Sequence, residues 1–330
     1  MKITIFEVNN KERRNSELSN DLYKTIVVGN SKSTKHNNLF LYDTGTPISN
    51  KNEYYNELTA QYWMWKNYDA DYYGMCHYRR FISFSDTHYK TSIGEHNLGL
   101  VNIPFLSKKI VAEHNLNDIE LIKSELLKYD LICMEPISVR KYFPKRNMYE
   151  TYASMPLWHN IKDIDNTLKI IKELYPDIYP FAHHYFFKSK KCYYYNCWIM
   201  TKELLNKFSQ FQFDVLFKLE NEIDYTHYSK QKARALGLIG ERLFGVYLLY
   251  IESLKKYRIK HRQVLFVEHP EPNHKPVPFS KTHNIPIVTI CNDFYVPYFS
   301  ALLASLAEHS SRHNFYDFIV ITKDISKTNL

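Results

Sequence analysis

The chain of 330 residues predicts an α/β protein: a mostly parallel sheet flanked by helices, followed by a separate C-terminal β-α-β fragment. Two observations predict it. Short apolar runs such as Ile3–Val8, Tyr72–Cys76 and Asp130–Met134 alternate with longer segments of helical period. Alternation of that kind gives strands joined by crossover helices. Finally, Pro270, Pro272, Pro276 and Pro278 crowd a polar stretch without periodicity, and a new strand-helix-strand pattern begins beyond it.

The elements follow in order. Ile3–Val8 and Thr25–Val28 read as strands, and Asp43-Thr44-Gly45 as a turn. A helix is expected from Asn52, a candidate cap, with Leu58, Tyr62 and Trp65 on one face. Tyr72–Cys76 is the next strand, and residues 82 to 116 read mostly as loop. Asn117-x-x-Glu120 is a capping-box pattern opening a helix to about Lys128, and Asp130–Met134 is a buried strand. Ile164, Leu168, Ile171 and Leu174 mark an amphipathic helix stopped by Pro176. Tyr193–Met200 reads as a strand, with Thr201 capping the helix after it. A longer helix spans roughly 232 to 255, and Val264–Val267 is a strand. After the Pro-rich segment come strand Ile287–Cys291, a helix burying Phe299, Leu302, Leu303 and Leu306, and strand Phe318–Ile321.

Composition narrows the function classes. Gly is scarce at 8 residues, and no G-x-G-x-x-G or Walker sequence occurs, so any phosphate must be held by side chains, a helix N-terminus or a metal. Tyr (28) and Phe (20) are abundant, which suits packing and also stacking on sugars or bases. The net charge of +8 favours anionic partners, but it is spread without a run of five basic residues, which speaks against nucleic acid. Cys76, Cys133, Cys192, Cys197 and Cys291 form no C-x-x-C pair and sit in apolar runs, as small hydrophobes in a reducing, cytosolic compartment do. The N-terminus reads as a strand, not a signal peptide, and no apolar run approaches a membrane span of about 20 residues.

The most informative block is Tyr62-Trp63-Met64-Trp65-Lys66-Asn67 followed by His77-Tyr78-Arg79-Arg80. It places an imidazole, a phenol and two guanidinium groups at the carboxyl end of a strand, where open α/β sheets bind ligands. Two adjacent arginines suit a diphosphate, because each planar fork grips phosphate oxygens bidentately; two solvated arginines at a strand end are the plainer alternative. Asp69 and Asp71 lie just upstream, as turn residues or as carboxylates for a metal. Asn196 stands in an apolar run, where an amide needs partners: a core hydrogen bond, or a sugar hydroxyl. Glu241 opens an apolar run after Gly237 and Gly240. It suits the helix dipole as a first-turn carboxylate, and as chemistry it is the first choice for a general base, with Glu57 the rival. His183-His184 lacks a helical partner at i+4 and reads as a loop or pocket wall.

The segments Asn52–Asn67 and Tyr73–Phe81, with Asn196-Cys197-Trp198-Ile199-Met200-Thr201-Lys202-Glu203-Leu204 and Gly240-Glu241-Arg242-Leu243, resemble the bacterial family called domain of unknown function 4422. The resemblance covers roughly residues 1 to 268. Its members occur in capsule and exopolysaccharide clusters and include predicted galactofuranosyltransferases. It implies a nucleotide-sugar glycosyltransferase of GT-A-like fold, with a UDP-sugar donor and a glycan or lipid-linked acceptor. The acceptor brings an expected place in the cytoplasm, at the inner face of the membrane. Glu241 and Glu57 are then the candidate bases, and His77, Tyr78, Arg79, Arg80, Asn196, Trp63 and Arg242 the candidate substrate and diphosphate ligands. No paired carboxylates end the strand that carries the HYRR block, so the arginines are expected to replace a metal, leaving manganese or magnesium inessential. Residues 269–284 are then a Pro-rich linker, and 285–330 resemble the first β-α-β of a truncated family 8 glycosyltransferase domain, with Asn292, Asp293 and Tyr295 where that family meets the nucleotide. The rival readings are a non-catalytic glycan-binding or scaffold module attached to a family 8 domain, and a nucleic-acid-binding protein.

Overall fold

Ile3–Asn9 forms β1, and all seven of its residues are buried, as expected of a strand covered on both faces. The computed structural model describes residues 1–9, 18, 21–29, 39–41, 45, 48–94, 97–138, 146–270, 280 and 282–322. They divide into two compact units, Met1–Pro270 and Glu271–Leu330. The other strands of the first unit are, in chain order, β2 (Tyr23–Val27), β3 (Leu39–Leu41), β4 (Tyr72–His77), β5 (Arg80–Ile82), β6 (Val101–Ile103), β7 (Leu131–Met134), β8 (Ile137–Ser138), β9 (Lys191–Cys192), β10 (Trp198–Thr201), β11 (Ile259–Arg262) and β12 (Val264–Val267). Its helices are α1 (Asn52–Tyr55), α2 (Leu58–Asn67), α3 (Lys108–Glu113), α4 (Ile119–Leu126), α5 (Met148–Ala153), α6 (Ile161–Leu174), α7 (Tyr179–Phe187), α8 (Lys202–Glu220) and α9 (Ala235–Ser253).

Ten of these strands make one sheet, ordered β11-β7-β10-β4-β1-β2-β3, with β5, β12 and β6 curling off the edge of β4. β1 pairs in parallel with β2 and β4, whereas β10 runs antiparallel between β4 and β7. The amino end of β10 therefore lies at the carboxyl ends of β1 and β4. At the centre, a Cβ on Gly74 would fall 2.8 Å from Ile5 Cγ1 and 3.1 Å from Ile199 Cγ1, so the branched side chains of β1 and β10 close over a position only glycine fills. Sheet and helices meet through aromatic side chains. Tyr62 and Trp65 of α2 lie against Phe213 of α8, the Trp65 and Phe213 rings 5.9 Å apart and stacked.

Four expectations are corrected. The helix expected from Asn52 is two, broken at Asn56 (φ 50°), and Asn52 does not cap it: its Oδ1 accepts from Thr59 Oγ1 at 3.1 Å. The Tyr193–Met200 run is extended only from Trp198, because Tyr195 (φ 74°) and Asn196 (φ 46°) make a turn in the left-handed region. The helix start expected at Asn117 belongs to Asp118, whose side chain accepts from the Leu121 N–H at 2.9 Å. The loop expected over 82 to 116 holds the end of β5, all of β6, and α3. Thr201 does cap α8, accepting from the Leu204 N–H at 3.3 Å.

The second unit contains parallel strands β13 (Asn284–Ile290) and β14 (Phe315–Ile321), linked through α10 (Val296–His309). The burial expected of its helix is not found: Leu302 is 45 % exposed, and Phe299, Leu303 and Leu306 are only half-buried. One helix on two strands is too small to enclose a core. Residues 271–279 of the Pro-rich segment lie outside the described residues.

Candidate active site

The edge where β1 and β4 end and β10 begins collects most of the chemistry expected from the sequence. His77-Tyr78-Arg79-Arg80 is the tight turn of a hairpin: His77 closes β4, Arg80 opens β5, and the two pair across it. The turn is held against β1, since Val8 O accepts from the Tyr78 N–H at 3.2 Å. The His77 and Tyr78 rings lie 4.2 Å apart.

Facing this hairpin is the Tyr195–Asn196 turn. Two successive non-glycine residues at positive φ are unusual, and such a conformation persists only where its surroundings enforce it. Two carboxylates do so. Glu241 Oε1 accepts from the Tyr195 N–H at 2.5 Å, and Glu57 Oε1 accepts from Asn196 Nδ2 at 3.0 Å. Glu57 stands at the Asn56 break between α1 and α2, and Glu241 stands inside α9. These elements approach closely because α9 presents glycines to them. A Cβ on Gly237 would fall 2.2 Å from Asn56 Nδ2, and one on Gly240 would fall 2.3 Å from Leu58 Cδ1. Tyr195 is fixed further by donating its hydroxyl to Leu98 O at 3.1 Å. Arg80 lies with its guanidinium carbon 4.6 Å from the centre of that ring.

Burial dominates the electrostatics. It raises the Glu241 carboxyl above its usual range; the Glu57 carboxylate adds to this, while Arg242, the Tyr195 N–H and Arg80 oppose it. Burial, then the charges of Arg80, Arg79 and Arg234, hold the His77 imidazole well below its ordinary value, so it is neutral near pH 7. Three buried polar atoms here have no hydrogen-bond partner among the described residues: His77 Nδ1, Arg80 Nε and Asn196 Oδ1. Unpaired polar atoms are costly in an interior, and three at one edge of a sheet are what a polar ligand would satisfy.

Glu57, Glu241, His77, Tyr78, Arg80 and Asn196 thus come together. Arg79 adjoins them but is engaged elsewhere, its Nε donating to Val267 O at 3.1 Å and its Nη2 to Glu268 O at 2.8 Å. Trp63, expected among the ligands, is a core residue 5 % exposed, set edge-on to Phe6. Arg242 is likewise buried. It donates to Leu238 O at 2.6 Å, lies 4.9 Å from the Tyr152 ring centre, and reaches Glu241 Oε2 only at 3.8 Å, as a countercharge behind it. Asp69 and Asp71 sit at the opposite end of β4, the former paired with Lys202 at 2.5 Å, the latter accepting from the Lys2 N–H at 2.6 Å. His183 and His184, expected in a loop, are exposed on α7. Among the described residues no group of three or more His, Cys, Asp or Glu side chains is arranged to hold a metal ion. None of their helices is long and apolar enough to cross a membrane.

The sequence reading missed Asn56, Tyr195 and Arg234. Asn56, at φ 50° and ψ −129°, left only the weak signal that asparagine is enriched at positive φ, whereas Tyr195 left none. In the second unit Asn292 accepts from the Tyr295 N–H at 3.2 Å, capping the turn Asp293–Tyr295, and Tyr295 is 54 % exposed.

The apo structure of WbbM, a bifunctional glycosyltransferase, superposes with a TM-score of 0.73 at 29 % sequence identity; the match covers 100 % of the present chain and 56 % of WbbM. The fold is therefore GT-A-like, with a mixed rather than wholly parallel sheet. No curated protein matches the chain. Residues 5–252 match the family described as Domain of unknown function (DUF4422), which spans the whole edge assembled above. The chain belongs to the DUF4422 family.

Proposed function

We propose that residues 1–268 form a nucleotide-sugar-dependent glycosyltransferase. In this reading it moves a hexose, with galactofuranose the first candidate, from a UDP-sugar to a glycan or lipid-linked acceptor in bacterial surface polysaccharide biosynthesis. The observation that carries the reading is the shared edge of Glu57, Glu241, Asn196, His77 and Arg80, with three buried polar atoms left without a hydrogen-bond partner among the described residues. The likeness to a bifunctional glycosyltransferase supports it.

Transfer breaks the bond between the anomeric carbon and the diphosphate and forms one to an acceptor oxygen, whose proton must leave. Glu241 takes that proton, with Glu57 as the rival base. Arg80 faces the charge that develops on the departing diphosphate, and fixed cations placed there lower the barrier. Asn196 Oδ1 is free to read a sugar hydroxyl. Arginines supply charge that a divalent metal supplies in related enzymes, so turnover is expected to survive EDTA.

The work takes place in the cytoplasm, at the inner face of the membrane where lipid-linked acceptors lie. Residues 285–330 form the opening β-α-β of a second, family 8-like transferase domain, in which Asn292, Asp293 and Tyr295 meet the nucleotide. The test is a panel of nucleotide sugars scored by thermal stabilisation, then by product formation with residues 1–268 alone. A true donor at a hundredfold its Kd adds about 2.7 kcal/mol of stability. Stabilisation without turnover by any donor would favour a glycan-binding module instead. Loss of all activity in EDTA, restored by manganese, would return the diphosphate to a metal.

A further inference from the structure

We infer that Arg234, not Arg79, is the second arm of a diphosphate clamp whose first arm is Arg80; the assignment rests on the nucleotide-sugar reading above. The two arms come from elements far apart in sequence. Arg80 opens β5, and Arg234 ends the short turn Lys232–Arg234 that leads into α9.

Arg79 is poorly placed for an anion. Its Nε and Nη2 already donate to the carbonyls of Val267 and Glu268, and its guanidinium carbon lies 4.6 Å from the centre of the Phe266 ring. Moving it toward a ligand would strand two backbone acceptors. Its role is to tie the hairpin to β12.

Arg80 and Arg234 are held differently. Among the described residues Arg80 is held by aromatic packing alone, Arg234 through a single hydrogen bond. Arg80 lies over the Tyr195 ring, with its buried Nε unpartnered. Arg234 donates Nε to Asn56 Oδ1 at 2.8 Å, and its side chain is exposed. Asn56 is itself fixed, at positive φ, against the bare face of Gly237. That seat orients the guanidinium of Arg234 while leaving its two Nη groups for a ligand, and a planar fork held in this way is preorganised for phosphate oxygens. Asn56, which seats Arg234, adjoins Glu57, whose Oε1 accepts from Asn196 Nδ2; Asn196 in turn follows Tyr195, whose ring lies under Arg80, so both arginines border the same edge of the sheet. The amino end of the 19-residue helix α9 adds positive potential beside Arg234. A doubly charged diphosphate fits the spot better than a single phosphate.

The experiment is calorimetric titration of the full chain with UDP and with UMP, the ratio of their affinities isolating the terminal phosphate. The wild type is expected to prefer UDP. Arg80→Ala and Arg234→Ala should each lower that preference by roughly tenfold to a hundredfold, the scale of one charge-assisted hydrogen bond. Arg234→Lys should restore it in part, and circular dichroism should show each variant folded. Arg79→Ala should keep the preference while lowering the melting temperature. An unchanged preference in Arg234→Ala, or its collapse in Arg79→Ala, would overturn the assignment while leaving the nucleotide-sugar reading intact. Failure of the wild type to bind any nucleoside diphosphate would overturn both.

Discussion

Glu241 does two things that a substitution can separate. It latches the Tyr195–Asn196 turn by accepting a backbone N–H, and it carries a carboxyl raised by burial and by Glu57. Glutamine keeps an oxygen for the first task and cannot perform the second. Glu241→Gln should therefore fold with an unchanged melting temperature yet lose about 10²–10⁴ in turnover, the usual contribution of a general base. The sign of the pH dependence follows from the raised carboxyl: the base works only when deprotonated, so the acid limb of kcat/KM should lie above the ordinary carboxylate value of about 4.3. A limb at or below that value would remove the role from Glu241, and full activity in Glu241→Gln with loss in Glu57→Gln would pass it to Glu57. At this scale the sequence was legible where a residue type is chemically out of place: a carboxylate in an apolar helix, an amide in an apolar run, guanidinium groups at a strand end. It was illegible for Trp63 and Arg242, where the same residue types face a core; only tertiary packing decides which way a side chain points.

The elements were legible wherever periodicity is strong, as in β1, β4, β7 and α6, and least so where the backbone leaves its regular path for the site. The helix from Asn52 and the strand from Tyr193 were each read as continuous, and each is broken at the positive-φ residue that serves the candidate site. Local pattern cannot announce such a break, because partners distant in sequence meet it: Glu57 and Glu241 at Tyr195–Asn196, and Arg234 and Gly237 at Asn56. The close meeting of α9 with the α1–α2 junction makes its own prediction. Gly237→Ala gains about 1 kcal/mol of helix propensity, and forcing the Asn56 amide aside costs about 1–3 kcal/mol, so stability should drop only slightly. UDP affinity should fall much further, as Asn56 no longer seats Arg234. Equal losses in stability and affinity would show that the glycine matters for packing alone.

On the scale of the whole molecule, the described residues divide into Met1–Pro270 and Glu271–Leu330; the sequence expects a linker over 269–284, because prolines and polar residues without periodicity cannot continue either fold. Limited proteolysis should cut within 269–284 and release a stable N-terminal core. A chain resisting cleavage there while fully folded would show the terminal unit to be integrated with the first. The place of β10 was less legible: an antiparallel strand inserted between β4 and β7 carries no mark in its own residues, since its apolar side chains suit either direction.

Arg79 gives the root of the connecting segment a mechanical character. The carbonyls it grips belong to Val267 and Glu268, and the Val267 N–H donates to Arg79 O at 2.8 Å. The Glu268 and His269 N–H groups are in turn anchored on Ile103 O and Pro104 O, at 2.9 and 2.8 Å. The last residues before the Pro-rich segment are thus stapled to the same hairpin that carries His77 and Arg80. Tension along that segment would load these few bonds first, and through Arg79 it would reach the hairpin that carries Arg80.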